Sequence, residues 1–392
     1  MLAAHRRSGP AARPAGDTSL QEKRLLGRGA WHARTARLPL GPSGPPRTAP
    51  KEDLILLPAH TASQISADQS VVVFRALPGT GDFLCAVPAL AALRGALPRG
   101  RLVLVGLEST RELVERYGNL VDELVAFPGH PDLPEQEPDW PAIPRFYEEI
   151  RERRFDWAIQ LHGTGWTVNR IVERFGGARM AGFRPEAQSA PDPHTFPVWR
   201  EAESEVNRWL RLVGLLGVDP TTAGLAFPIK PADRAAIGAI AGVPGQGEAY
   251  AVVHPGASAP ERRWPAAAFA RVGDALAGTG LTVVLTGSAA EAALTWEVAR
   301  AMSSAAVDLG GQTDLGSLAA LLAGATILVG NDTGVSHLAA ALRVRSVIVF
   351  SGTDPTRWAP PDRELHRPVR ADLDEALREV RALLARPAGR AA

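Results

Sequence analysis

The chain has 392 residues, 45% hydrophobic and 22% charged, enough for two medium-sized domains with real cores. Its 43 basic and 42 acidic side chains give a net charge of +1, so nothing points to a nucleic-acid or membrane-surface partner. The single cysteine, Cys85, excludes a disulfide framework or a cysteine metal centre within one chain, and no run of about 18 apolar residues is present to cross a bilayer.

Residues 1–68 are rich in Arg, Pro, Gly and Ala, poor in acids and without sustained periodicity. They lack the apolar stretch of a secretory signal. An Arg-rich, acid-poor leader has the character of an organellar transit peptide, but a disordered tail or a start codon assigned too early accounts for it better. Order is expected from the β-branched run 71–74, suited to a buried parallel strand. A glycine-rich turn (75–82) and an apolar helix (83–97) follow. The alternation continues with strands at 101–105, 123–127, 155–161 and 179–183. Between them the pattern gives helices at 109–117, opened by a Ser109 cap, after a Pro-rich loop (128–144) and ending near 153, and at 167–175. A helix at 203–216 closes this half.

A Pro- and Gly-rich stretch at 227–247 reads as an interdomain linker. A second series has strands at 250–253, 281–285, 306–309, 326–329 and 346–350. Helices fall at 266–277, 289–302, 315–323 and 334–342, and 372–384 reads as a charged terminal helix. Strands alternating with helices predict an α/β chain of two doubly wound parallel sheets. The domains are expected to be a leader (1–68), an N-terminal Rossmann-like domain (69–228), a linker (229–248), a C-terminal Rossmann-like domain (249–370), and a terminal helix and tail (371–392). Ligands of such sheets bind at the carboxyl ends of the strands.

The stretch 326–341, TILVGNDTGVSHLAAA, is a strand, a tight turn and a helix start. A helix N-terminus offers unpaired N–H groups and a partial positive charge, which suits a phosphate. Gly334 permits close approach, and His337 lies one turn in. Equally, it is one more strand–helix turn with Asn331 or Asp332 as cap. Gly79-Thr80-Gly81 begins like a dinucleotide fingerprint but has Leu84 in place of the third glycine. Asp82 follows, either as a cap or as a carboxylate facing the crevice. In the stretch 254–265, HPGASAPERRWP, Ser258 can donate to an anion, and Arg262 and Arg263 can pair with phosphate oxygens. The same loop also reads as exposed surface. Glu291 can accept from a ribose hydroxyl or favour its helix N-terminus. His162 and Trp166, after a first-domain strand, either line an acceptor pocket or pack. Asp372 and Asp374 form a DxD pattern, read as solvated surface, so no metal site is expected.

Together these segments resemble glycosyltransferase family 9, the ADP-heptose:lipopolysaccharide heptosyltransferases. Four blocks carry the likeness in order: GTGDFLCAVPALAALRGALP, HPGASAPERRWPAAAFA, VVLTGSAAE, and the long block from LGGQTDLGSLAALLAGATILVGNDTGVSHLAAA to TRWAP. The likeness spans about residues 71–385. It implies the GT-B fold, two Rossmann-like domains facing across a cleft that holds the active site. It implies that Asp82 is the catalytic base and that Glu291 lies near the donor ribose. Asp332, Thr333, Gly334 and His337 match the donor-binding turn. Arg262 stands where the family usually has a lysine on the donor phosphates, with Ser258 beside it, while Gly81, His162 and Trp166 fall on the acceptor side.

The implied enzyme is inverting, cofactor-free, metal-independent and cytoplasmic. It moves a sugar, heptose by resemblance, from a nucleotide-diphosphate sugar such as ADP-heptose to a glycan or lipopolysaccharide-like acceptor. Peripheral membrane contact stays open. Two other readings stand beside it. An NAD-type oxidoreductase is suggested by Gly79, Gly81 and Glu108, and opposed by the missing third glycine. A non-catalytic sugar-nucleotide binder is opposed by the presence of Asp82.

Overall fold

The structure, a computed structural model, describes residues 64–189, 192–222, 227–245 and 247–386. Its first sheet contains β1 (Ser70–Phe74), β2 (Arg101–Gly106), β3 (Glu123–Ala126), β4 (Trp157–Gln160) and β5 (Arg179–Ala181), in the order β3-β2-β1-β4-β5. Its second contains β6 (Tyr250–His254), β7 (Thr282–Leu285), β8 (Ala306–Asp308), β9 (Ile327–Asn331), β10 (Ser346–Phe350) and β11 (His366–Arg370), in the order β11-β10-β9-β6-β7-β8. All pairings are parallel. The central strands are covered on both faces, which is why SVVVF, YAVVH and SVIVF read as continuous apolar runs and not as alternating ones. Two parallel-sheet α/β domains of the GT-B type result.

The connecting helices of the first domain are α1 (Thr80–Ala96), α2 (Arg111–Arg116), α3 (Ala142–Glu152), α4 (Trp166–Glu173) and α5 (Glu205–Leu215). A short α6 (Pro231–Gly238) lies in the connecting stretch. Then come α7 (Ala266–Ala277), α8 (Ala292–Ala301), α9 (Leu315–Gly324), α10 (Gly334–Ala341), α11 (Pro355–Trp358) and α12 (Leu373–Leu384). Strand order reverses between β1 and β4 in one sheet and between β6 and β9 in the other. The loops leaving those four strands therefore open the two crevices, and they carry most of the residues singled out in the sequence.

Four local expectations are corrected. Helix α1 begins at Thr80, not at residue 83, and runs through the buried Pro88 at the loss of one backbone hydrogen bond. The segment from Glu108 enters α2 through a 3₁₀ turn, with no side-chain cap from Ser109. Strand β11 was not anticipated: HRPVR has a proline and three charged or titratable groups, a composition tolerated at a sheet edge. The packed chain also starts before residue 69. Ile65 is buried and its N–H donates to the Leu216 carbonyl at 2.9 Å, while Asp68 pairs with Arg99. The rest of the expected leader, residues 1–63, lies outside the described residues.

The two domains are pressed together, with α1 packed against both α5 and the second domain's α10. A single apolar cluster runs from Leu84 and Leu90 of α1 through to Leu338 and Ala339 of α10. Two ion pairs add to this: buried Arg116 of α2 with Asp233 of α6 in the connecting stretch at 2.5 Å, and part-exposed Arg357 of α11 with buried Glu205 of α5 at 2.6 Å. Among the described residues no helix is long and apolar enough to cross a membrane.

Candidate active site

The first-domain half of the site is held by Arg75, the residue that follows β1. Its guanidinium is turned inward, 3% exposed. Nε donates to the Asp82 carbonyl at 3.0 Å, a second nitrogen donates to the same oxygen, and Nη1 donates to the Leu161 carbonyl at 2.5 Å. One cation thus clamps the turn after β1 to the end of β4 and leaves the Asp82 carboxylate out of its grip.

The helix cap is Gly79, so Asp82 is the third residue of α1 and not its N-cap. The cap reading of Asp82 is thereby corrected. Its carboxylate folds back over Gly79, where an added Cβ would stand 2.3 Å from Oδ2. Among the described residues none donates a hydrogen bond to that carboxylate. Burial pushes its proton affinity above the usual carboxylate range; Arg75, His337 and Arg357 pull it down, and Glu205 pushes it further up.

His162 joins the same loop cluster. Its Nδ1 accepts from the Ala76 N–H at 3.1 Å, and its Nε2 lies 3.5 Å from Glu135 Oε1. It therefore fixes the backbone beside the Gly-rich turn. Trp166, four residues on, opens α4 and is 58% exposed. The helix is entered through Gly165 at φ +116°, where an added Cβ would meet the Phe183 carbonyl at 2.1 Å, so only glycine fits.

The second-domain half is organised by Asn331, 1% exposed. Its Oδ1 accepts from the Trp264 N–H at 3.1 Å, and its Nδ2 donates to the carbonyls of Pro255 and Gly256 at 2.8 and 3.2 Å. This joins the loop after β6 to the turn after β9. Asp332 does a similar task on the other side: its Oδ2 accepts from Thr353 Oγ1 at 2.5 Å and from Arg262 at 3.1 Å. Neither residue caps α10. The cap is Thr333, whose hydroxyl accepts from the Val335 N–H at 3.4 Å.

Arg262 is thus placed over the start of α10. One nitrogen serves the carbonyl and carboxylate of Asp332, while its buried Nε has no partner. Arg263 points elsewhere and donates to the Ala257 carbonyl at 2.9 Å. Ser258 is exposed on the same loop. Glu291 closes a capping box, accepting from the Ser288 N–H and hydroxyl at 2.9 and 2.8 Å, and its carboxylate lies over Gly256. Burial acts to raise its proton affinity, but the Ser288 hydrogen bonds and the neighbouring His254 and Arg263 hold it below the usual range.

The halves meet glycine to glycine. A Cβ on Gly81 would lie 2.8 Å from His337 Cδ2 and 3.3 Å from Gly334 Cα; one on Gly334 would lie 3.2 Å from the Gly81 nitrogen. The N-termini of α1 and α10 therefore abut, and Gly81 sits at the seam. His337, 7% exposed, faces α1 with Nδ1 3.5 Å from Cys85 Sγ. Burial pushes this imidazole below the usual histidine range, against the pull of Asp332 and Asp82. A cavity beside it is lined by Cys85, Glu205, His337, Arg357 and Trp358.

Sequence reasoning missed Arg75, Asn331 as a linchpin, Thr353, Glu205 and Arg357. Arg75 carried a local signal, a charge directly after a buried strand; Asn331, Thr353 and Arg357 lie inside the last family-like block, but their partners could not be read from it. Two helix N-termini, an arginine with a free donor and a carboxylate without donors converge here. That arrangement can hold an anionic group while a carboxylate beside it takes up a proton.

The family model of glycosyltransferase family 9 (heptosyltransferase) matches residues 143–376. Asp82 lies ahead of that stretch; Ser258 through His337 lie within it. No curated protein matches the chain. A glycosyl transferase family 9 structure from Veillonella parvula is similar with a TM-score of 0.66 at 20% identity, over 84% of this chain and 92% of that one. The ADP-heptose lipopolysaccharide heptosyltransferase II of E. coli gives 0.60 at 20% identity, over 80% and 98%. An E. coli heptosyltransferase with ADP gives 0.58 at 20% identity, over 80% and 98%. At these identities the likeness to the solved structures is one of fold.

Proposed function

The chain belongs to glycosyltransferase family 9, the heptosyltransferases, and from that premise we propose that it transfers heptose from ADP-heptose, with inversion, to a hydroxyl of a glycan or lipopolysaccharide-like acceptor. One observation carries the mechanism: the Asp82 carboxylate, largely buried and free of hydrogen-bond donors, lies where the N-termini of α1 and α10 meet. Asp82 takes the proton from the acceptor hydroxyl as that oxygen attacks the anomeric carbon. Negative charge grows on the departing diphosphate. The start of α10 from Thr333 to Val335, Arg262 with its unspent Nε, and Ser258 supply the stabilisation. Asp332 holds Arg262 in place, and His337 keeps the two helices in register. Glu291, beside Gly256, faces the donor ribose.

Two features support ADP-heptose as donor: membership of the heptosyltransferase family, and a fold shared with an E. coli heptosyltransferase whose structure contains ADP. Arginine at position 262, where the family usually has lysine, keeps the charge and adds a second donor direction. On this reading the enzyme works in the cytoplasm, and the cationic groups do the work that a metal does in other transferases. An NAD-type reading fits less well, because Leu84 stands where the dinucleotide fingerprint needs its third glycine.

The test is Asp82→Asn. Because Gly79 caps α1, the substitution preserves shape and leaves the cap untouched. Turnover is expected to fall about 10²–10⁴-fold, the usual worth of a positioned base, with ADP affinity unchanged. Near-normal turnover in a folded preparation would take Asp82 out of the mechanism. Activity is also expected to survive excess EDTA; loss with rescue by magnesium or manganese would overturn the charge-stabilisation part.

A further inference from the structure

The loops that leave the first sheet at its carboxyl edge are tied to one another. One Arg75 guanidinium donates to the carbonyls of both Asp82 and Leu161, so the exit of β4 begins against the turn that carries Asp82. His162 comes next and accepts from the Ala76 N–H through Nδ1, which leaves the ring proton on Nε2. That nitrogen faces Glu135 Oε1 at 3.5 Å. Glu135 belongs to the long loop between β3 and α3. Strands β2 and β1 separate β3 from β4, so the contact with His162 carries this loop across about three strand spacings, ~14 Å, past the exit of β1.

Two side chains on this edge are unspent. Glu135 Oε2 is buried without a hydrogen-bond partner, and among the described residues no lysine or arginine pairs with it. Its loop adds the exposed Asp132, Glu137 and Asp139, and no Lys or Arg occurs from 117 to 144. Trp166 is 58% exposed, yet it stands on a fixed turn. Gln160 Oε1 accepts from the N–H groups of His162 and Gly163 at 2.6 and 3.0 Å, and Asn169 Nδ2 donates to the Phe183 carbonyl at 2.9 Å. Five residues on from Leu161, Trp166 lies at most ~17 Å away from it. The arginines on this side are occupied or set back. Arg111 pairs with Glu108, Arg184 serves the carbonyls of Phe196 and Gln188, and Arg174 lies 3.5 Å over the Tyr147 ring. Arg170 stands one turn down α4 from Trp166.

We propose that Trp166 and Glu135 form the acceptor subsite, and that this subsite selects an uncharged sugar ring. The proposal rests on the reading of the crevice as a heptosyl-transfer site. Trp166 stacks on the apolar C–H face of the ring, a broad contact made by a side chain that the turn has already ordered. Glu135 can only accept, so it takes a ring hydroxyl as donor, and the hydroxyl completes its buried oxygen. A ring bearing phosphate or carboxylate would meet Glu135 and the carboxylates of its loop with no free cation beside them, a repulsive element that rejects the charged competitor.

The experiment measures binding of the full chain to an array of matched oligosaccharides, each neutral member printed beside its phosphorylated and its carboxylated form. Neutral members are expected to be retained, with the charged forms held about fivefold less well or worse. Trp166→Ala should weaken retention about 2- to 10-fold, and Trp166→Phe should restore most of it. Glu135→Gln keeps the shape and removes the charge, so it should narrow the preference for the neutral member. Equal or better retention of the charged forms, no retention of any neutral member, unchanged binding by Trp166→Ala, or an unchanged preference in Glu135→Gln overturns the proposal. If Glu135→Gln fails to fold, the exposed Trp166 decides alone. Retention is read with no donor present and does not depend on Asp82. Failure of the heptosyl-transfer reading shows instead in ADP-heptose turnover by the wild type and Asp82→Asn.

Discussion

At the scale of single residues, the site is built by side chains that hold backbone, leaving a few groups unspent for chemistry. Arg75, Asn331 and Asp332 have their donors and acceptors engaged across loops. Asp82 and the Nε of Arg262 do not, and an uncommitted polar group in a part-buried site is costly unless a ligand completes it. Arg262→Ala should therefore raise the donor KM and lower kcat/KM by roughly 10- to 150-fold, the worth of about 1.5–3 kcal/mol for a charge-assisted contact. Arg263→Ala is the control. Its guanidinium already serves the Ala257 carbonyl, so donor KM should stay at the wild-type value. Equal losses in the two variants would return Arg262 to an ordinary surface role.

At the scale of elements, α1 does the most. Its N-terminus carries Asp82, its first turn touches α10, and its body packs on α5. Gly79 and Gly81 serve close approach rather than a dinucleotide. The same scale explains why the start of the packed chain was misplaced. Ile65 is isolated among polar residues, so no periodicity marks it; only its contact with the Leu216 end of α5 makes it core. A chain beginning at Gln64 should melt at the temperature of the full chain, whereas one beginning at Ser70 should melt several degrees lower. Losing a buried isoleucine side chain with its backbone bond costs about 2–5 kcal/mol, and each kcal/mol is worth about 2–4 °C in a protein of this size. Equal melting of the two by calorimetry would show that residues 64–69 add nothing.

At the scale of the whole molecule, two parallel-sheet domains share one apolar cluster, and Arg357 of one pairs with buried Glu205 of the other. Histidines are buried in this assembly. Burial pushes His366 of the edge strand β11, beside Ser346 of β10, down to about 4, and pushes His254 and His337 down as well. Each binds a proton less readily in the folded chain than in the unfolded one, so stability falls as pH drops below about 6.5, for His366 down to about 4. For His366 this costs about 2 kcal/mol at pH 5. The melting temperature should accordingly fall between pH 7 and pH 5, and His366→Gln should shrink that fall. An unchanged slope would mean that His366 is already protonated in the fold.

Read alone, the chain determined the repeated strand–helix alternation, the two sheets, the turns at 79–82, 254–265 and 330–334, and the family. These are local properties: β-branched runs, glycines where the backbone must turn, and polar residues at several helix starts. It did not determine what the polar residues in those turns do. Asp82, Asn331 and Asp332 all read as caps, since capping is what Asp and Asn do in isolation. Gly79 and Thr333 turn out to hold the cap positions, and the three acidic or amide side chains are released for other tasks. Glu205, Arg357 and Thr353 were invisible for a related reason. Glu205 lies on a helix with no motif, and although Thr353 and Arg357 fall inside the last family-like block, nothing local names the residue each serves. Only the docking of α5 and α11 against α1 and α10 brings them to the site, because a charge acts through distance in space and not through separation in sequence.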